Sequence, residues 1–91
     1  MREKEYISAI QECDDLLEID CTNFAGYRIR GISYMELWKN TRKDGYRIYA
    51  LRDMEAAIKY VHAYFPMPGG KKNPEAKNWE NRLRGYIQAM L

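Results

Sequence analysis

The chain has 91 residues, 46% of them apolar and 31% charged, with a formal net charge of +2. That composition predicts a single folded domain spanning 1–91 rather than a disordered chain, and no segment reaches the ~20 consecutive apolar residues that a bilayer span needs. Cys13 and Cys21 match no metal or redox spacing, and the amphipathic opening is unlike a signal peptide, so a cytoplasmic protein with reduced thiols is expected.

The first element is predicted as a helix over 3–19. Tyr6, Ile10, Cys13 and Leu17 recur at i, i+4, i+7 and i+11, which makes one apolar stripe, widened by Ile7 and Leu16. Glu12, Asp15 and Glu18 ride outside it, with Asp14 on its flank. Residues 1–20 hold two bases and seven acids, a net charge of −5, whereas residues 21–91 carry thirteen bases and six acids. Acids crowded near a helix C-terminus oppose its dipole, so they are expected to serve solubility or to meet something basic.

Residues 22–51 alternate in character and predict three antiparallel strands. A three-residue turn at Gly31-Ile32-Ser33 and a loop over Thr41–Asp44 keep the alternation in register across both hairpins. One strand kinked at Gly31 would keep the same parity. Tyr27, Ile29, Met35, Leu37, Tyr46 and Ile48 then form a core face. Arg28, Arg30, Tyr34, Glu36, Trp38, Arg47 and Tyr49 form the other face.

Asp53 is placed to cap a helix over 54–65, with Met54, Ala57, Ile58, Val61 and Phe65 buried and His62 on the wet side. Pro66 stops that helix, and residues 66–74 have the composition of a linker. Asn73 as cap and Pro74 as first helical residue open the last helix, with Ala76, Trp79, Leu83, Tyr86, Ile87 and Met90 as its stripe. The expected fold is therefore α+β: a helix, a three-stranded meander and two helices.

Catalytic chemistry finds no support in these residues. The one histidine, His62, sits among polar helical positions, and no nucleophile–base pairing has a pattern behind it. The carboxylates Asp14, Asp15 and Glu18 lack the third ligand a metal site requires. The stretch PGGKKNP is not a phosphate loop, because it lacks the GK[ST] ending and follows a helix. No enzyme activity, cofactor or metal is expected.

The remaining signal is the basic, aromatic face. Cations suit phosphates and flat rings suit bases, so Arg28, Arg30, Trp38, Arg47 and Tyr49, with Arg42 and Lys43 at the hairpin tip, are candidate nucleic-acid contacts. Over about residues 27–64, "MEL", "GYRIY" and the helix "MEAAIKY" give a layout that resembles the plant ethylene-response type of DNA-binding domain and the arm-binding domain of tyrosine recombinases. That resemblance implies a sheet entering a major groove. Equally open is a face covered by the first or last helix. Two functions follow: a small non-enzymatic module that binds nucleic acid or a nucleoprotein, or a protein-interaction inhibitor or accessory factor of a phage or mobile element. In the second, Glu12, Asp14, Asp15, Glu18 and Asp20 would meet a protein with a basic surface.

Overall fold

A computed structural model describes residues 2–91, and among them there is no strand. Four helices follow one another: α1 (Arg2–Ile19), α2 (Phe24–Thr41), α3 (Asp44–Tyr64) and α4 (Pro74–Met90). The α+β expectation, its meander and the resemblance built on a sheet are thereby overturned. Each helix packs on the next in the chain: α1 on α2, α2 on α3 and α3 on α4. Cross-contacts fix the directions. Arg30 meets Asp14 and Asp53, Tyr27 stacks on Tyr60, and Arg47 reaches the Met90 carbonyl, so neighbours run antiparallel. The result is a flattened array of 45 × 29 × 19 Å.

The helix that replaces the first predicted hairpin is α2, and its burial explains the alternation. Side chains two apart on a helix point about 200° apart, to nearly opposite sides. Phe24, Gly31 and Met35 face α3 and α4, while Gly26, Ser33 and Leu37 lie on the side toward α1. Over 31, 33, 35 and 37 every second residue is therefore buried, as in a strand. A helix held between two neighbours mimics the strand period.

Local chemistry permits that sandwich. A Cβ on Gly26 would lie 2.9 Å from Leu17 Cδ2, and one on Gly31 would lie 3.1 Å from both Asp53 Cβ and Met54 Cγ. Asn23 caps α2 by accepting from the Gly26 N–H. Arg42 ends it in the left-handed region, φ 58°, with its N–H on the Trp38 carbonyl. The predicted loop at 41–44 is thus a turn, but it joins two helices. Helix α3 starts at Asp44, so GYRIY is helical and Asp53 lies in mid-helix rather than at a cap.

The main core joins Phe24 and Met35 of α2, Ala50, Met54, Ala57 and Val61 of α3, and Ala76, Leu83 and Met90 of α4. Helix α1 stands outside it and docks Ile10, Cys13 and Leu17 on α2. Both cysteines are free, Cys13 buried and Cys21 exposed, and burial raises the Cys13 thiol pKa. A 3-10 turn at Pro68–Gly70 leads to α4, where Asn73 accepts from the Glu75 N–H and Pro74 begins the helix.

Gly31→Ala should lower stability by about 1–3 kcal/mol, because the new methyl presses on the Asp53–Met54 stretch of α3. Gly85→Ala, where a Cβ meets nothing within 4 Å, should raise it by about 0.5–1 kcal/mol. Urea unfolding of the two variants checks both signs; equal effects would contradict the packing at Gly31.

Candidate interaction face

Helical geometry redistributes the residues that alternation had grouped. Arg28 lies over the Trp79 ring at 4.5 Å, and over Phe24 at 5.5 Å, toward α4. Arg47 donates to the Met90 carbonyl at 3.0 Å and to Asp44 at 3.4 Å, tying the start of α3 to the end of α4. Trp38 packs beside the core with Arg42 5.0 Å over its ring, and Arg42 and Lys43 are exposed at the α2–α3 turn. Of the seven predicted contacts, Trp38 and Arg42 meet at the end of α2, and Arg30 and Tyr49 share a site.

The site of Arg30 and Tyr49 lies along the α2–α3 seam. Arg30 Nε and Nη2 donate to the two oxygens of Asp53, each at 2.8 Å, and Nη1 donates to Asp14 of α1 at 2.8 Å. One guanidinium thus links three helices. Asp53 is 5% exposed. Burial raises its carboxyl pKa, the Arg30 fork opposes that rise, and the fork in turn holds the guanidinium firmly charged.

Tyrosines flank this pair on both sides. Tyr27 stacks on Tyr60 at 5.9 Å, and Tyr34 meets Tyr49 at 5.2 Å and Tyr46 at 6.0 Å. Their spacing explains the alignment: 27, 30 and 34 form one stripe of α2, and 46, 49, 53 and 60 form one of α3. Burial raises the pKa of Tyr27, helped by Tyr60, and of Tyr34, helped by Asp14. Arg30, Tyr34, Tyr49, Arg52 and Asp53 line a shallow depression of about 250 Å³. Tyr49 is 50% exposed and Arg52 is exposed. Sequence reading missed Arg52, and it treated Asp53 as a cap; the i, i+3, i+7 spacing around Arg30 was the signal available.

The acidic set also separates. Asp14 turns to Arg30, and Asp20 accepts from Thr22 Oγ1 and Asn23 Nδ2 to close the α1–α2 turn. Glu12, Asp15 and Glu18 are exposed and make no ion pair among the described residues. No three His, Cys, Asp or Glu side chains among the described residues converge on a metal position. No helix among the described residues is long and apolar enough to cross a membrane.

A second polar cluster joins α3 to α4. His62 Nε2 lies 2.8 Å from Glu80 Oε1, so the partly exposed His62 is tied to α4. Arg84 Nη2 donates to Glu80 Oε2 at 2.9 Å. The His62 contact, then Arg84, lowers the Glu80 pKa to about 2. No protein-family model, curated protein or solved structure matches this chain.

Glu80 is a carboxylate with a depressed folded pKa, so its contribution is present above the usual 4.5 and is lost as pH falls toward about 2. Glu80→Gln should cost about 1 kcal/mol at pH 7, a figure reduced for solvent screening, and nothing near pH 2. Thermal unfolding across that range checks it; a gap that does not narrow on acidification would contradict the linkage.

Proposed function

We propose that the protein is a non-enzymatic protein-interaction module whose contact surface is the tyrosine-paved face of α2 and α3. The carrying observation is the convergence of Tyr27, Tyr34, Tyr46, Tyr49 and Tyr60 around Arg30, with Arg52 exposed beside Tyr49. Tyrosine buries a large rigid ring at low entropic cost and keeps a polar tip, and tyrosine and arginine are enriched where binding energy concentrates in protein interfaces. A shallow depression suits an inserted side chain of a partner rather than an enclosed small molecule.

The arrangement gives less support to nucleic-acid binding. Phosphate contact needs cations with open donors. Arg30 spends its guanidinium on two carboxylates and Arg47 on a carbonyl and Asp44, while Arg28 lies apart from both, over Trp79. The bases of the original set therefore point to different parts of the molecule. The acidic helix α1, expected as the contact for a basic partner, lies beside this face through Asp14.

A photo-crosslinking residue at Tyr49, compared with one at the exposed Gln88 of α4, tests this reading in cells that make the chain. Protein adducts at 49 and few at 88 are expected. Nucleic-acid adducts at 49, or equal yields at both positions, would contradict it.

A further inference from the structure

The face carries a charge order that selects its occupant. On α1, Asp14 and Glu18 are one turn apart on the side where Asp14 meets Arg30, and both are exposed. On α3, Arg52 and Lys59 are two turns apart on the side of Tyr49 and Tyr60: Arg52 lines the depression with Tyr49, and the Lys59 ammonium lies 5.4 Å from the Tyr60 ring centroid. Both are exposed, and neither makes an ion pair among the described residues. Between these flanks run the tyrosines of α2 and the Arg30–Asp53 pair, whose charges cancel locally. Across the face the order is therefore negative, aromatic, positive.

Such an order is complementary to itself under one operation only. Turning a second copy by 180° about an axis parallel to α2 brings its α1 flank over the α3 flank of the first and keeps heights along the helices unchanged. Helices α1 and α3 run the same way, since both are antiparallel to α2. Asp14 and Asp53 share a level, because both meet Arg30. Asp14 then falls opposite Arg52 of the second copy. Glu18 lies about 6 Å further along and Lys59 about 10 Å, within reach of a long lysine stem. The other face-to-face axis, across the helices, would set acid on acid and base on base, which is unfavourable.

We propose that this face pairs with a second copy of the same chain about a two-fold axis parallel to α2, with Asp14–Arg52 and Glu18–Lys59 contacts bridging a tyrosine seam. This rests on reading the face as an interaction surface and names the partner that its charges fit. Arg30 keeps its bond to Asp14 through Oδ1, and Asp14 Oδ2 accepts no bond from the described residues, leaving it for Arg52.

The test is sedimentation of the full chain over a range of concentrations, at low and at high salt. A dimer weakened by salt is expected. Glu18→Lys and Lys59→Glu, each at an exposed site, should each weaken it by about tenfold or more, and the charge-swapped double variant should return close to the parent, since every chain then supplies both partners again. A monomer at all concentrations overturns the pairing. So does a dimer that neither single reversal weakens, or one that the swap fails to restore. The two proposals are separable. A monomer whose Tyr49 probe still marks a foreign protein removes the second copy and leaves the interaction face standing. A monomer with no adduct at Tyr49 removes both.

Discussion

One guanidinium decides how this chain is assembled. Arg30 leaves α2 and holds Asp53 of α3 in a two-point fork and Asp14 of α1 at a third point. Burying Asp53 to 5% exposure is costly unless its charge is met, and the fork meets it. The pair therefore acts through geometry: sliding α3 along α2 would strand a carboxylate in a nearly dry site. Gly31 stands beside it and lets the two helices close to the distance the fork requires. On the other side Gly26 does the same for Leu17, so α1 can come near enough for Asp14 to share the guanidinium. Helix α1 has no place in the main apolar core and depends on these contacts with α2 more than any other element does.

How legible the fold was depended on how many sides each helix buries. Helix α1 buries one stripe, and Ile10, Cys13 and Leu17 lie where the 3.6-residue period puts them. Helix α4 announces itself through Asn73 and Pro74 and buries Ala76, Leu83 and Met90. The second half of α3 reads equally well. Helix α2 does not, because two opposite buried faces superimpose into a period of two, and its tyrosines and isoleucines add β propensity. Tertiary packing overrode that local preference. The start of α3 failed for a related reason: Tyr46 and Tyr49 serve the tyrosine seam on one side while Arg47 serves α4 on another.

The same geometry rearranged the candidate site. Arg28 and Arg30 share a side of a strand but stand 200° apart on a helix, so one reaches Trp79 and the other Asp53. The strand grouping of these residues does not survive on a helix. What assembles instead is a seam between helices, where aromatic rings surround a neutralised ion pair and opposite charges lie on the two flanks. A surface of that kind owes little to net charge. The order in which its charges are laid out is set by which helix neighbours which.

The account stands most directly on the Arg30–Asp53 pair, and a double-mutant cycle on unfolding free energy examines it. Arg30→Met alone should destabilise by about 3–5 kcal/mol, since it leaves the Asp53 carboxylate without its partner in a largely buried site, and Asp53→Leu alone by about 1–3 kcal/mol, since Arg30 keeps Asp14. The double variant should cost less than Arg30→Met alone and well below the sum of the two, giving a large favourable coupling. Additive losses, or singles that cost less than about 1 kcal/mol, would show that α2 and α3 are held by apolar packing alone and would contradict the clamp.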